Sequence, residues 1–117
     1  MIKNEEHPII GLNGADLRGA SLSKLNLRKA KQDGADLKGA ALSGACLRDT
    51  DLGGADFSVY DETEKAADLT GADLSNADLT NANLTRVKVP KEQLGSCRSL
   101  EGATMPNGQK YEDWLKG

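Results

Sequence analysis

Residues 67–85 read ADLTGADLSNADLTNANLT, in which the five-residue phrase Ala-(Asp or Asn)-Leu-x-x occurs four times in succession. The same phrase, with substitutions, can be followed through most of the chain. Taking the central apolar residue of each phrase as the centre of a unit, we recognise fifteen units. The centres are Leu12, Leu17, Leu22, Leu27, Gln32, Leu37, Leu42, Leu47, Leu52, Phe57, Leu69, Leu74, Leu79, Leu84 and Val89. An alanine usually stands two residues before the centre.

A period of five residues fits neither a straight helix nor a straight strand. On an α-helix, five residues advance about 500°, so successive leucines would lie about 140° apart and occupy every face. On a straight strand an odd spacing would point successive leucines to opposite sides. The leucines therefore share one interior only if the chain turns a corner within each unit. A short extended piece then places the alanine and the centre inward, with the polar residue between them facing out.

The second residue after each centre is suited to such a corner. Glycine and asparagine tolerate the positive φ that the third position of a type II turn requires. These residues are Gly14, Gly19, Gly34, Gly39, Gly44, Gly54, Gly71, Asn76 and Asn81. Lys24, Lys29, Asp49 and Arg86 occupy the same position. The sequence predicts a different type of turn at those four corners.

The A(D/N)LXX repetition over residues 10–89 resembles the pentapeptide-repeat protein family, including its small cyanobacterial-type members. The resemblance implies an all-β solenoid, a right-handed quadrilateral parallel β-helix with four units per coil and therefore about four coils. On this basis residues 1–9 form an N-terminal segment and residues 10–89 the β-helix, with a loop insertion at 58–66. Residues 90–117 are expected to form a C-terminal cap with short helices.

Twenty residues per coil would stack residues twenty apart at about 4.8 Å, the spacing of neighbouring strands. Leu17, Leu37 and Phe57 then form one interior column, while Leu27 and Leu47 lie in another. Gln32 is a polar residue at an inward position, where it would need hydrogen-bond partners within the coil.

The segment SVYDETEKA, residues 58–66, interrupts the repeat. Leu69 follows Phe57 by twelve residues, which we interpret as one unit bulging out as a loop. In this interpretation Leu69 returns to the column of Leu27, and Leu79 to that of Phe57. The loop carries Tyr60, Asp61, Glu62 and Glu64, and is either a tolerated insertion or a recognition loop.

Composition and motifs indicate no catalytic chemistry. The chain has 117 residues with a net charge of −3, which disfavours a basic patch for nucleic acid. His7 is the single histidine, and the sequence has no P-loop, nucleophile elbow or HExxH motif. Cys46 and Cys97 form no CxxC pair, so no cofactor or metal site is expected. We expect Cys46 to be partly exposed and Cys97 to pack as a small apolar residue.

The outward acidic residues form the first candidate interaction surface. Four of them would stack at strand spacing, with Arg18 and Lys38 compensating the repulsion in part. These four are Asp16, Asp36, Asp56 and Asp78. Residues 58–85 carry a net charge of −5, against +1 for residues 12–57, and so form an acidic belt. Asp and Asn in these positions either solvate the wall and bond the local backbone or give the rod a DNA-like charge.

The C-terminal segment offers a second candidate surface. Pro90 is placed to open a short helix, with Leu94 and Cys97 facing the coils. Tyr111 and Trp114, with Leu115, lie on one face of a later helical turn. This face is interpreted as a structural cap, or alternatively as an aromatic docking or dimer patch.

The sequence thus predicts a non-catalytic protein-interaction or scaffold protein, monomeric or weakly dimeric, whose partner is another protein. Nucleic acid and membrane are not expected to be partners. No apolar run reaches transmembrane length and no signal peptide is recognised, so a cytoplasmic location is expected. The alternative is a DNA-mimicking protein that binds a type II topoisomerase, because some proteins of the resembled family bind DNA gyrase in this way.

Overall fold

The computed structural model describes residues 16–21, 34–61 and 63–116. Several predictions concern residues outside these ranges and are not tested by the structure. They involve residues 1–9, Gly14, Leu22, Lys24, Leu27, Lys29, Gln32 and Glu62.

The chain returns to the same wall of the molecule after twenty residues in the coils before the loop, after 27 across the loop, and after 20 or 21 beyond it. Parallel β-bridges join Asp16 to Asp36, Asp36 to Asp56, and Ser21 to Ala41. The backbone bonds run from coil to coil, as in the 2.7 Å bond from the Leu37 N–H to the Asp56 carbonyl. Bridge positions follow one another at five-residue intervals, from 36 to 41, 46, 51 and then 56. The fold is therefore a parallel β-solenoid with one short extended piece per unit.

The interior consists of the alanines and the centres of the units, as predicted. Leu42, Leu47 and Leu74 are each about 1% exposed. Burying a side chain of this size stabilises the fold by roughly 1.5–3 kcal/mol. Phe57 is fully buried among them, and Thr50 takes the place of an inward alanine. The scarcity of large aromatic residues is thus offset by the regular stacking of many smaller apolar ones.

The corners are closed by turns of the expected kind. The Ala40 N–H donates to the Leu37 carbonyl at 3.0 Å, and Gly39 between them has φ of 66°. The prediction of a different turn at Asp49 and Arg86 was wrong, because these residues also have positive φ, 59° and 64°. Their N–H groups bond to the Ser75 and Pro106 carbonyls of the adjacent coil. The inter-coil bonds hold both residues in the left-handed conformation at a cost of roughly 1–2 kcal/mol each.

The insertion is a loop at one corner and replaces no unit. At an ordinary corner the N–H of one residue donates to the carbonyl three residues before it, as Ala40 does to Leu37. At the insertion the same type of bond joins the Ala67 N–H to the Phe57 carbonyl, at 2.9 Å and ten residues apart. Between them Tyr60 and Lys65 form an antiparallel bridge. The chain therefore resumes the coil where it left it, with seven additional residues.

The register predicted after the loop was consequently wrong. Asp68 bridges to Ala41, so Leu69 stacks on Leu42 and not on Leu47, which was predicted to share its column. Leu79 likewise lies next to Leu52, whose N–H donates to the Asp78 carbonyl at 2.7 Å.

Coil-like backbone continues beyond Val89. A helix, α1, spans Lys91–Leu94 and buries Leu94, with Pro90 at its N-cap. Parallel bridges then join Asp78 to Ser99 and Asn83 to Thr104. Buried Leu100 and Met105 act as further centres. The sequence signal was present in Leu-Glu-Gly-Ala-Thr-Met, residues 100–105, which keeps the leucine, glycine and alanine of the repeat.

The tail folds back on the last of these units. The Met105 N–H donates to the Gln109 carbonyl at 2.7 Å, and the Tyr111 N–H donates to the Ala103 carbonyl at 2.8 Å. A second helix, α2, spans Tyr111–Trp114. Neither helix, in the part of the chain that the structure describes, is long and apolar enough to cross a membrane.

Candidate interaction surfaces

One wall carries a ladder of alternating charges. Arg18 Nη2 lies 2.6 Å from Asp16 Oδ2, and Arg18 Nε lies 3.7 Å from Asp36 Oδ2 in the next coil. Lys38 Nζ lies 3.8 Å from Asp56 Oδ2 one coil further on. The hydrogen bonds from the Arg18 side chain and backbone lower the pKa of Asp16 to about 2. The predicted compensation of the stacked carboxylates by Arg18 and Lys38 is therefore confirmed.

Asp78 does not belong to this ladder, in contrast to the prediction. It bridges Asp51 and Ser99 on a different wall, because the loop adds seven residues to the coil and residues 27 apart therefore stack across it. Asn83 takes the place above Asp56, followed by Thr104. The ladder thus contains three stacked carboxylates and then two neutral side chains.

The outward aspartates bind the backbone of their own corner. Oδ1 of Asp73 accepts hydrogen bonds from the Ser75 N–H at 3.0 Å and the Ser75 hydroxyl at 2.6 Å. Thr80 makes the same two bonds to Asp78. These bonds, with the hydroxyl as the largest cause, lower the pKa of both carboxyls, and Thr70 does the same for Asp68. The prediction that Asp and Asn bond the local backbone is confirmed.

The acidic belt is interleaved with arginines. Asp73 Oδ2 lies 3.3 Å from Arg48 Nη1 of the preceding coil, and Asp78 Oδ2 lies 3.2 Å from Arg98 Nη2 of the following one. A DNA mimic would be expected to present carboxylates in uninterrupted rows, as phosphates are along a duplex. These ion pairs do not favour that alternative.

The loop lies flat on the corner below it. Tyr60 packs over Gly39 and Gly19, where an added Cβ would come 2.8 Å from Tyr60 Cβ and 3.3 Å from Tyr60 Cε2, respectively. The Arg18 guanidinium lies 5.6 Å from the centroid of the tyrosine ring. Asp61 and Glu64 are exposed at the tip. Tyr60 therefore anchors the loop, and the acidic tip is the part that faces solvent.

The aromatic residues of the tail form a small cluster. The rings of Tyr111 and Trp114 stack with centroids 6.3 Å apart, and Lys91 Nζ lies 5.5 Å from the tryptophan centroid. Both aromatic side chains are half-buried against the core, whereas Leu115 is 60% exposed. A cavity of about 200 Å³ opens beside them. Leu115 lines this cavity together with Tyr111 and Trp114, so the three residues share one side of the tail, but Leu115 is the most exposed of them.

Sequence reasoning missed two residues that bind exposed corners of the solenoid. Gln93 Oε1 accepts from the Gly71 N–H at 3.0 Å, and its Nε2 donates to the carbonyls of Leu69 and Ala72. Glu112 Oε2 accepts from the Gly102 N–H at 3.0 Å, and this bond lowers the pKa of Glu112. No local sequence signal distinguishes either residue from an ordinary polar residue of a helix.

The cysteines lie as expected. Cys46 occupies a bridge position opposite Asp73 and is partly exposed. Cys97 packs against the core, and burial raises the pKa of its thiol to about 11. Within the described ranges, no group of three or more His, Cys, Asp or Glu residues is arranged to hold a metal ion.

The repeat geometry agrees with a comparison against known families. The profile for pentapeptide repeats, with eight copies, matches residues 12–31, 26–58 and 65–89, more than half of the chain. The chain belongs to the pentapeptide-repeat family. No match was found among curated proteins.

Solved structures of other pentapeptide-repeat proteins are similar to this one. The protein Rfr23 from the cyanobacterium Cyanothece 51142 is 28% identical, with a TM-score of 0.60 over 85% of this chain and 58% of its own. A protein from the Arabidopsis thaliana thylakoid lumen is 31% identical, with a TM-score of 0.48 over 81% and 61%. One from Nostoc PCC 7120 is 32% identical, with a TM-score of 0.37 over 83% and 65%. The present chain therefore spans 58–65% of the length of these pentapeptide-repeat relatives.

Proposed function

We propose that this pentapeptide-repeat protein is a non-catalytic scaffold that binds another protein through its rigid outer surface. The observation that carries the proposal is the fixation of outward side chains. Asp73 and Asp78 each accept a backbone N–H and a hydroxyl through one carboxylate oxygen and pair with an arginine through the other. Side chains ordered before binding lose little conformational entropy when a partner docks, which favours affinity.

The proposal includes the finer architecture that the family resemblance implies. The rod is a right-handed quadrilateral β-helix of about four coils, with residues 90–117 covering its C-terminal end. Bridge positions at five-residue intervals and the twenty-residue return support four walls. The backbone bonds of Gln109 and Tyr111 to Met105 and Ala103 support a covering role for the tail, since they occupy an edge that would otherwise be open.

Two surfaces are the candidates for contact with the partner. The first is the loop tip with Asp61 and Glu64, and the second is the wall on which Arg48 pairs with Asp73. A partner of the loop tip should carry basic residues. A cytoplasmic location also belongs to this proposal and can be checked by cell fractionation.

Affinity capture from source lysate tests the proposal. Immobilised wild-type protein should retain at least one protein specifically, and either the double variant Asp61→Lys/Glu64→Lys or the wall variant Arg48→Glu should release it. Lys116→Glu is a control, because Lys116 is exposed on the tail and makes only a 3.9 Å pair with Asp113. Retention of nothing beyond what an unrelated β-solenoid retains would refute the scaffold function.

A further inference from the structure

The extended piece of each unit offers one acceptor and one donor to the next coil, and the corner N–H two residues after the centre offers a second donor, as that of Gly44 does to the Thr70 carbonyl. The carbonyl two residues before the centre accepts, and the N–H of the centre donates. Ala40 and Leu42 show the rule, because the Asp68 N–H donates to the Ala40 carbonyl at 3.0 Å and the Leu42 N–H to the Asp68 carbonyl at 2.9 Å. At the end of the solenoid these groups form an edge that needs another partner.

The chain itself fills this edge at its last unit. The Ala103 carbonyl and the Met105 N–H bind the N–H of Tyr111 and the carbonyl of Gln109, which run antiparallel to them. The tail thus acts as one added strand. It shows that this end of the solenoid accepts an extended segment in place of a further coil.

The equivalent groups one unit earlier are open. On the inner side the strand is paired, since the Arg98 N–H donates to the Ala77 carbonyl at 2.8 Å and the Leu79 N–H to the Ser99 carbonyl at 2.9 Å. On the outer side, the Arg98 carbonyl and the Leu100 N–H bond to no other group of the described residues. Val87 and Val89 present a second such pair, but the cavity at this end borders only the strand at 98–100.

The cavity beside this edge indicates which kind of side chain an added strand would place there. It measures about 200 Å³, and its large apolar side chains are Leu94, Leu100, Tyr111, Trp114 and Leu115, while Gly95, Cys97 and Ser99 also line it. Pockets for small molecules usually measure roughly 300–1,000 Å³, so this volume suits one apolar side chain of a protein segment better than a ligand.

Arg98 provides a positive charge that could pair with an acidic residue of the bound segment. It also lines the cavity, and its side chain is 58% exposed while one nitrogen, Nη2, holds Asp78. A guanidinium has five N–H donors in a planar fork, so Arg98 retains donors for a second carboxylate. An acidic residue beside the apolar one would complete the match.

We propose that the Arg98–Leu100 edge binds an extended segment of a partner protein by strand addition. The segment's backbone pairs with the Arg98 carbonyl and the Leu100 N–H, one apolar side chain enters the cavity, and an adjacent carboxylate pairs with Arg98. Strand addition to a free sheet edge is a general mode of peptide recognition. The inference rests on the proposed function, for which it names one binding site and the type of segment bound.

The probe is a library of random dodecapeptides displayed on phage and selected on the intact protein. Enriched peptides should share an apolar residue next to Asp or Glu. Their synthetic forms should change the fluorescence of Trp114, the single tryptophan, and slow hydrogen exchange of the Leu100 amide about tenfold or more. Methylation of the peptide N–H that faces the Arg98 carbonyl should weaken binding about tenfold, by loss of one backbone hydrogen bond.

Matched variants locate the site. Leu115→Glu places a charge at an exposed position of the cavity and should weaken peptide binding about tenfold or more. Gln109→Glu adds the same charge at an exposed position outside the cavity and should leave binding unchanged. Thermal unfolding of both variants confirms that they are folded. Arg98→Gln should weaken the binding of a selected peptide more than it weakens the binding of the same peptide with its Asp or Glu replaced by a neutral residue. Arg86→Gln should weaken the binding of neither peptide.

The proposal is overturned if no peptide is enriched, if Leu115→Glu binds as wild type does, or if exchange at Leu100 does not change. Sedimentation that shows a wild-type dimer lost in Leu115→Glu would identify the occupant as a second copy and also overturn it. If wild type and Leu115→Glu capture the same lysate protein equally, the edge proposal alone fails. If wild type captures none, the scaffold function fails.

Discussion

The side-chain amide of Gln93 takes the place of a missing coil above Gly71. Its Oε1 accepts the Gly71 N–H at 3.0 Å, and its Nε2 donates to the carbonyls of Leu69 and Ala72 at 2.9 and 2.6 Å. In the preceding coil the corresponding N–H, that of Gly44, donates to the Thr70 carbonyl. One side chain thus satisfies three backbone groups at a corner where the chain departs into α1.

We expect Gln93→Ala to lower the free energy of unfolding by about 1–3 kcal/mol, because the Gly71 N–H and the Ala72 carbonyl lose their partner, while the Leu69 carbonyl keeps its bond from the Ala72 N–H. Urea denaturation followed by circular dichroism measures the change. Gln109→Ala is the matched control and should cost less than about 0.5 kcal/mol, since its exposed side chain bonds only to Asn107. Equal stabilities of the two variants would show that water replaces the Gln93 amide without cost.

Alanine substitution at two glycine corners should distinguish the cost of backbone strain from the cost of a steric clash with the loop. Gly34 and Gly39 have φ of 71° and 66°, but an added Cβ meets nothing within 4 Å at Gly34 and lies 2.8 Å from Tyr60 Cβ at Gly39. Both alanine variants should lose roughly 1–2 kcal/mol from the left-handed conformation. Gly39→Ala should lose about 1–3 kcal/mol more through overpacking, measured by urea denaturation.

Displacement of the loop in Gly39→Ala should also loosen the backbone pairing of Tyr60 with Lys65, so that trypsin cleaves faster after the already exposed Lys65. Faster cleavage there, without faster cleavage in Gly34→Ala, would confirm that Tyr60 holds the loop against the corner. Indistinguishable stability and cleavage of the two variants would show that the contact with Tyr60 carries no energy.

The lowered carboxyl pKa values predict acid sensitivity. Because the pKa of Asp68, Asp73 and Asp78 is lower in the folded protein, the unfolded chain binds more protons as the pH falls. Their contribution to stability is present above the unfolded pKa of about 4 and is lost as the pH falls through the folded values. Urea midpoints should therefore be constant near neutral pH and decline below about pH 4.5.

The pH dependence of two hydroxyl deletions distinguishes a hydrogen bond to a titrating carboxylate from one to a neutral amide. Thr80 donates to the Asp78 carboxylate and Thr85 to the Asn83 amide oxygen, both at 2.6 Å, and Thr80 Oγ1 also lies 2.9 Å from Ser99 Oγ, a contact with a neutral group that Thr80→Val removes as well. Thr80→Val should raise the pKa of Asp78 and cost about 1 kcal/mol near neutral pH, moderated by solvent screening, and less in acid. The cost of Thr85→Val should not depend on pH, because Asn83 does not titrate. A carbon-detected NMR titration of Asp78 that is unchanged in Thr80→Val would contradict this assignment.

The partly buried thiol of Cys97 should react slowly. With a pKa of about 11 it is almost entirely protonated at neutral pH, and the thiolate is the nucleophile. In the Cys46→Ser variant, alkylation by iodoacetamide near pH 8 should be on the order of 100-fold slower than that of glutathione. Mass spectrometry follows the reaction. A rate equal to that of glutathione would show that Cys97 is accessible as a thiolate.

The interior and the corners could be predicted from the sequence because each unit carries its own information. Ala35 and Leu37 are two residues apart on one side of an extended piece, and Gly39 permits the turn that follows. Repetition of this local code makes every coil similar. For the same reason Leu100 and Met105 could have been recognised, since residues 100–105 keep the leucine, glycine and alanine of the repeat.

The register after the loop, the conformation of Asp49 and the role of Gln93 depend on contacts between coils. Whether residues 58–66 replace a unit or add to a corner is decided by the bond from Ala67 to Phe57, which joins residues far apart in the chain. Asp49 adopts positive φ because its N–H must reach Ser75 in the next coil, against its local preference. The local sequence determines where the chain turns and which side chains point inward. Hydrogen bonds between coils determine which residues stack on each other, and those bonds exist only once the coils have stacked.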